Sequence, residues 1–352
     1  MNHAIIMAGG SGTRFWPLSR REKPKQLLPL WGDRTLVDLT FERLRGFAPP
    51  ERIYVVTGEH LAGPISEVLP DLPAENLIVE PSARNTLPCI ALAAEVVAQR
   101  DSEATLGVFA ADHYVSGEVA FLRTCSLGDR SAQQGQIATI GVRPTRPETG
   151  YGYIKYKRQE GPVLPVEAFV EKPDRKTALT YLEDGRYLWN AGIFFLSIET
   201  LRRELAAQQP KMADQFNEIG AALSRGDKDE VGRIFAEVDS ISLDYGIMEG
   251  ADGVCVIPAE FEWNDVGHWA ALDEVLSTDP SSNIVTGEVC AIDSESSVLI
   301  NQSSTGKLLA VVGLKDVVVV DTEDATLVLP KDQAQRVREV VAWLKEKRGD
   351  LL

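Results

Sequence analysis

The sequence predicts an α/β fold with a mixed, largely parallel sheet, followed by a small all-β appendage and a terminal helix. Three observations in its 352 residues predict it. First, short β-rich runs near 4–7, 53–57, 77–80, 106–110 and 137–142 alternate with amphipathic stretches such as 36–47 and 87–97. Strands alternating with helices argue for crossover connections and parallel neighbours. Second, the composition changes after about Asp279: Pro280-Ser281-Ser282-Asn283 reads as a linker, and Val/Ile-rich segments separated by turn residues follow with no helical period. Third, Val337, Val340, Val341 and Leu344 recur at helical spacing.

Taken in order, the first run leads into a glycine-rich loop. Thr86 can cap the helix over 87–97, and Pro88 sits where a first-turn proline is tolerated. Residues 150–275 read as mixed, with strands near 151–157 and 168–171 and then several helices. The short strands of the appendage fall near 284–286, 297–300, 308–312, 317–321 and 326–329. The terminal helix, with Arg336, Arg338, Lys345 and Lys347 on or near its polar face, packs on the body or on a second subunit. The expected division is therefore 1–279 and 280–352, and a homodimer and a monomer both remain open.

Composition narrows the function. The chain carries 36 Lys+Arg against 52 Asp+Glu, a net charge of −16, the wrong sign for a general nucleic-acid or anionic-membrane surface. No apolar run approaches the roughly 20 residues of a membrane span, and MNHAIIMAGG lacks the basic and long apolar regions of a signal peptide. Four scattered cysteines and four histidines show no metal-ligand spacing. A cytoplasmic protein with reduced thiols is the expectation.

Chemistry concentrates at Ala8-Gly9-Gly10-Ser11-Gly12-Thr13-Arg14, where glycines let the backbone approach a ligand and expose N–H groups to phosphate oxygens. No Lys-Ser/Thr follows as in a P-loop, and Phe15 stands where a dinucleotide fingerprint needs a third glycine. Arg14, Arg20, Arg21, Lys23 and Lys25 then make a local inversion of charge that suits a triphosphate. By themselves the glycines also fit an ordinary turn, and the cations a solvated loop. Glu80-Pro81-Ser82-Ala83-Arg84-Asn85-Thr86 follows a strand and opens a helix, whose N-terminus favours anions and acceptors; plain capping by Asn85 or Thr86 fits it as well. Phe109-Ala110-Ala111-Asp112-His113 ends a strand with a carboxylate, at the edge where open α/β sheets bind ligands.

Gly9-Gly10-Ser11-Gly12-Thr13-Arg14-Phe15-Trp16-Pro17-Leu18-Ser19-Arg20, with Lys23-Pro24-Lys25-Gln26, resembles the signature loop of the sugar-phosphate nucleotidylyltransferases. Its Trp-Pro-Leu-Ser-Arg form is similar to the mannose-1-phosphate guanylyltransferase (GDP-mannose pyrophosphorylase) branch, with Phe15 in place of the more usual Leu. Further motifs follow in the family's order over 1–270: the Glu80 and Asp112 segments, Pro147-Glu148-Thr149-Gly150-Tyr151-Gly152-Tyr153-Ile154, Phe169-Val170-Glu171-Lys172-Pro173-Asp174, Leu188-Trp189-Asn190-Ala191-Gly192 and Phe261-Glu262-Trp263-Asn264-Asp265-Val266-Gly267. The family more often has Ser at the position of Asn264 and a small residue at that of His268.

The resemblance implies a Rossmann-like nucleotidyltransferase domain and a left-handed β-helix-like appendage. It implies that Ala8, Gly9, Gly10, Gly12, Thr13, Arg14, Lys25, Glu80, Arg84, Asn85 and Asp112 bind the nucleotide. Gly150, Tyr151, Gly152, Glu171, Lys172, Asn190 and Asp265 would bind the sugar phosphate. Asp112 and Asp265 would hold Mg²⁺, with Arg14, Lys25, Asp112 and Lys172 catalytic. The reaction implied is GTP + mannose 1-phosphate ⇌ GDP-mannose + pyrophosphate. Another sugar 1-phosphate or nucleotide, and a non-catalytic nucleotide-sugar-sensing regulatory subunit, are the alternatives; the glycines and carboxylates that such subunits tend to lose are present. Bifunctional relatives continue into a cupin-type isomerase domain, and with the sequence ending at Leu352 isomerase activity is not expected.

Overall fold

The computed structural model describes residues 1–10 and 12–352; Ser11, inside the glycine-rich loop, lies outside the described residues. The chain forms two compact units. One comprises Met1–Gly9, Thr40–Ala111 and Val115–Trp263, the other Gly10–Leu39, Asp112–Tyr114 and Asn264–Leu352. The boundary expected at 279/280 follows chain order, whereas these units interleave along the chain. Packing is the cause. Phe15, Trp16 and Leu18, just past the glycine loop, share one buried cluster with Val266, Trp269 and Leu272, with Ile284, Val298 and Val318 of the β-rich segment, and with Val337, Val341 and Leu344.

In the first unit the strands are β1 (Asn2–Met7), β2 (Ile53–Gly58), β3 (Leu77–Glu80), β4 (Thr105–Ala110), the short β5 (Tyr114–Ser116) outside the main sheet, β6 (Ile137–Val142), β7 (Tyr153–Tyr156), β8 (Leu164–Val170), β9 (Tyr187–Ser197) and β10 (Val254–Pro258). Among the described residues nine of these form one sheet in the order β3-β2-β1-β4-β9-β6-β10-β8-β7, with β7 also pairing β9. The β3-β2-β1-β4 half is parallel throughout. Beyond it β9 runs antiparallel to both β4 and β6, while β10 is parallel to β6.

The chain moves outward from β1 through β2 to β3 and then returns to the other side of β1 as β4. That reversal is a topological switch point, and ligands in open α/β sheets bind beyond the carboxyl ends of the strands there. Met7 lies beside Ala110 at those ends. β1 hands over directly to the glycine loop, and β4 to Asp112.

One open alternative is decided and one expectation is corrected. The helix Thr86–Ala98 is capped by Asn85, whose Oδ1 accepts the Thr86 N–H at 2.8 Å; Thr86 is the first helical residue. The Thr86 hydroxyl instead accepts the Leu243 N–H at 2.9 Å. The region after 171 holds β9 and β10 besides its helices. β9 carries no strand signal in the sequence because Tyr-Leu-Trp-Asn-Ala-Gly-Ile-Phe-Phe-Leu-Ser lies at the centre of the sheet. Its near-continuous apolar run shows no period-2 alternation.

In the second unit Ile284–Thr286, Val298–Asn301 and Val317–Asp321 form a parallel ladder, and Val289–Ile292 pairs in parallel with Leu309–Val312. Val298 lies beside Val318 and Val289 beside Leu309. Parallel pairing between residues 20 apart, repeated on two ladders, is β-helix coiling, in which each turn covers the apolar face of the one before. Thr326–Pro330 closes the first ladder antiparallel. The terminal helix Val337–Lys347 buries Val337, Val341 and Leu344, the spacing the sequence predicts. Among the described residues no helix is long and apolar enough to cross a membrane.

Trp269 is fully buried in this cluster, its ring 4.8 Å from that of Phe15 and its indole N–H donating to the Trp16 carbonyl at 3.1 Å. Trp269→Ala should cost about 3–5 kcal/mol of stability, read by urea denaturation. A loss under about 1 kcal/mol would show that the loop residues are not held by this core.

Candidate active site

In the second unit the site forms around a buried lysine. Lys25 begins a short 3-10 turn after Pro24 and is only 4% exposed. Its Nζ lies 3.0 Å from Asp112 Oδ2 and donates to the Asp265 carbonyl at 2.5 Å. An ammonium has three donors, and these two contacts use two of them. Gly12 makes the arrangement sterically feasible. It sits at φ +53°, and a Cβ there would clash with the Lys25 backbone N, so a side chain at this position would drive Lys25 out.

A cavity of about 320 Å³ is lined by Gly12, Thr13, Arg14, Phe15, Lys25, Asp112, His113, Asp265 and Gly267. Desolvation acts to raise the Asp112 carboxyl, but the Lys25 and His113 charges outweigh it and hold the group below the usual carboxylate range. Asp265 is presented by a tight turn. Asn264 Oδ1 accepts the Val266 N–H at 2.7 Å, its amide is held by Glu274 at 2.7 Å, and Asp265 Oδ1 accepts the Gly267 N–H at 3.0 Å. The turn keeps buried Val266 at φ +47°, a conformation costing about 1–3 kcal/mol for a β-branched residue. Asn264 is thus a turn-former that aims its neighbour.

Of the five clustered cations, Arg14 and Lys25 line this cavity. Arg20 does not: its guanidinium bonds the Leu351 carbonyl, pairs with Asp324 at 2.6 Å and lies over the Trp16 ring. Arg21 and Lys23 are exposed and lie outside the lining. Proximity in sequence overstated the positive charge at the site.

In the first unit Ala8 continues β1, donating its N–H to the Val56 carbonyl at 2.8 Å. Glu80 ends β3 almost fully buried, with Oε1 lacking a partner and Oε2 3.3 Å from where a Gly9 Cβ would lie. Burial pushes its carboxyl up to about 7. Arg84 folds back, bonding Ser82 Oγ at 3.2 Å and the Ala236 carbonyl.

A second cluster of that unit gathers Gly152, Glu171, Lys172 and Asn190. Glu171 Oε2 lies 2.5 Å from where a Gly152 Cβ would be, so a side chain there would push the carboxylate from this position. Glu171 Oε1 pairs with Lys172 Nζ at 2.6 Å, and Lys172 occupies the left-handed region at φ +45°. Asn190 donates its N–H to the Gly152 carbonyl at 2.8 Å. Tyr151 packs edge-on between Trp189 and Trp263, and Gly150 is fixed by Glu148.

Sequence reasoning missed two residues. Asp244 opens a single π-helical turn and accepts from Asn190 Nδ2 at 3.0 Å. Burial, and after it the Glu171 charge, push its carboxyl up to about 6, against the pull of Lys172 and Asn190. Its neighbours in sequence carry no motif the reading used. His113 lines the first cavity; in the sequence it follows Asp112 with nothing to distinguish it from a turn residue.

Fold and motifs together define an α/β enzyme of nucleotidyl transfer, and comparison with known proteins agrees. The family model described as "Nucleotidyl transferase" matches residues 3–282, and that described as "MannoseP isomerase/GMP-like beta-helix domain" matches 287–344. The chain belongs to the sugar-1-phosphate nucleotidylyltransferase family. It is 39% identical over 349 residues to xanthan biosynthesis protein XanB of Xanthomonas campestris pv. campestris (strain B100), covering 97% of this chain and 73% of that one. It is 35% identical over 356 residues to mannose-1-phosphate guanylyltransferase of Klebsiella pneumoniae, covering 98% and 74%. The crystal structure of mannose-1-phosphate geranyltransferase from Thermus thermophilus superposes with TM-score 0.88 at 36% identity, over 98% of this chain and 99% of that one. Membership implies divalent-metal-assisted transfer of a nucleotidyl group between a nucleoside triphosphate and a sugar 1-phosphate.

The buried Glu80 carboxyl carries a pH signature. It keeps its proton to about pH 7 when folded but only to about 4.5 when unfolded, so the folded state binds the extra proton between those values and stability falls as pH rises through them. Ionising Glu80 costs about 3 kcal/mol above pH 7. Glu80→Gln should therefore exceed the wild type in denaturant stability at pH 8 by up to that amount and match it near pH 5. An equal difference at both values would show that Glu80 does not titrate this way.

Proposed function

We propose that the chain transfers GMP from GTP to mannose 1-phosphate, releasing pyrophosphate and forming GDP-mannose. The observation that carries the reading is the Lys25 centre, which gathers Arg14, Asp112 and Asp265 at one cavity. The mannose and guanine assignment draws on relatives such as the Klebsiella pneumoniae guanylyltransferase. Residues 1–279 are read as the catalytic part and 280–352 as its β-helix-like appendage.

In the reaction an oxygen of the sugar phosphate bonds to the α-phosphorus of GTP while the bond to the bridging oxygen of the departing pyrophosphate breaks. The nucleophile is largely ionised at neutral pH, because the second pKa of a phosphate monoester is about 6. No general base is needed, and the enzyme's work is to position two anions and spread developing charge. Arg14 and the third donor of Lys25 serve the triphosphate, with Gly12 and Thr13 in the same loop, and Gly9 and Gly10 lie near base and ribose. Glu80, Arg84 and Asn85 serve base and ribose. Lys172 holds the sugar phosphate, and Glu171, Asn190 and the Gly150–Tyr151–Gly152 segment hold the sugar.

Asp112 and Asp265 suit Mg²⁺. Among the described residues no group of three or more His, Cys, Asp or Glu forms a cage, and Mg²⁺ is commonly held by one or two carboxylates plus substrate phosphates. Bound there, the ion would supply charge neutralisation on phosphate oxygens. Lys25 keeps Asp112 ionised and aimed, so the carboxylate is ready at any neutral pH.

Pyrophosphate release measured across GTP, ATP, UTP and dTTP with mannose, glucose and galactose 1-phosphates should be highest for GTP with mannose 1-phosphate and should require Mg²⁺. A different preferred pair, or no release, overturns the reading. Asp112→Asn keeps an acceptor for Lys25 but loses the charge, so the variant should fold with a lowered thermal midpoint while kcat falls about a hundred- to a thousandfold. Near-wild-type turnover in that variant removes Asp112 from the metal site. Lys172→Ala should raise the KM for the sugar phosphate about tenfold or more and leave that for GTP unchanged; the reverse pattern would reassign Lys172.

A further inference from the structure

We infer that Asp244 is a positioning residue for sugar recognition: it holds the Asn190 amide in one orientation and so helps to decide which sugar is accepted. The inference rests on the reading above that Glu171, Lys172 and Asn190 receive the sugar phosphate.

The argument is one of donors and acceptors. Asn190 Oδ1 accepts from the Gly192 N–H at 3.1 Å and lies 3.0 Å from Thr139 Oγ1, whose single proton it shares with the Ile193 carbonyl at 3.1 Å. Asn190 Nδ2 donates to Asp244 Oδ1 at 3.0 Å. An ionised carboxylate only accepts, so the nitrogen must face it, and the amide cannot rotate by half a turn without setting oxygen against oxygen. One N–H of the amide is spent on Asp244. The other has no partner among the described residues and is the donor left for a ligand hydroxyl.

Asp244 is itself anchored. The N–H of the preceding Leu243 donates to the Thr86 hydroxyl at 2.9 Å. The π-helical turn Asp244–Met248 buries Gly246, Ile247 and Met248 beneath it. Such turns are uncommon and cluster at functional sites. A donor whose direction is locked discriminates between sugars differing in the configuration of one hydroxyl, because the wrong epimer leaves it unpaired.

The test is steady-state kinetics on the full chain with Asp244→Ala, Asp244→Asn, Asn190→Ala and the Asp244→Ala/Asn190→Ala double variant, varying mannose 1-phosphate and glucose 1-phosphate at saturating GTP and then GTP itself. Asp244→Ala should raise the sugar-phosphate KM about ten- to a hundredfold, leave the GTP KM within about twofold, and narrow the preference between the two epimers. The double variant should be no worse than Asn190→Ala alone, since both changes remove the same interaction. Asp244→Asn can still accept the bond through its oxygen and should retain most of the affinity. If the alanine variant does not fold, Asp244→Ser, too short to reach, takes its place.

Additive effects in the double variant, an equal rise in the GTP KM, an unchanged epimer preference, or losses in Asp244→Asn as large as in Asp244→Ala would each overturn the inference while leaving the proposed function standing. A wild-type enzyme that releases no pyrophosphate with any sugar 1-phosphate overturns both.

Discussion

A charged amine with 6% of its side chain exposed is the constraint around which the second unit is organised. Burying Lys25 without partners would cost several kcal/mol, so its ammonium must meet an anion and an oriented carbonyl, and those come from distant places in the chain. Asp112 belongs to the segment Asp112–Tyr114 and Asp265 to Asn264–Leu352, while Lys25 belongs to Gly10–Leu39. One ammonium therefore ties together all three segments. It also dictates Gly12, because no Cβ fits beside the Lys25 backbone. The same contact holds Asp112 ionised. A buried ion pair is weak evidence for stability but can specify a unique arrangement, and here the arrangement coincides with the residues proposed for chemistry.

Two strained residues mark where local backbone energy has been given up. Lys172 and Val266 both adopt the left-handed region, and each directly follows a carboxylate, Glu171 and Asp265. Left-handed non-glycine residues persist only when their surroundings over-determine them. At Val266 the surroundings are the Asn264 turn and a fully buried side chain. At Lys172 they include the Glu171 ion pair. In both cases the unusual residue fixes where the chain turns just after a carboxylate proposed for the site.

The parallel half-sheet and β6 beyond it were legible, because β1, β2, β3, β4 and β6 are short apolar runs bounded by turn signals. The terminal helix was legible from its 3.6-residue period. β9 was not, since a central strand buried on both faces has no alternation to read. Of the site, the glycine loop, Lys25, Asp112, Glu171, Asn190 and Asp265 were visible as motifs. The five-cation cluster was visible too, but sequence distance says nothing about direction, and Arg20 turns to Asp324 and Leu351. Asp244 was illegible for a similar reason: its meaning lies in a hydrogen bond to a residue 54 positions away.

By itself the sequence determined the α/β class, which rests on periodicity and composition, and the family, which rests on the resemblance of its ordered motifs. The tertiary structure decided which charges act together. It selected two of five clustered cations, assigned Asn85 rather than Thr86 to the helix cap, joined the glycine loop to the core of the β-helical unit, and placed Asp244 behind Asn190. The reason is that periodicity reports which face of an element is apolar, whereas electrostatic and hydrogen-bond function depends on distances of about 3 Å between side chains that folding alone brings together.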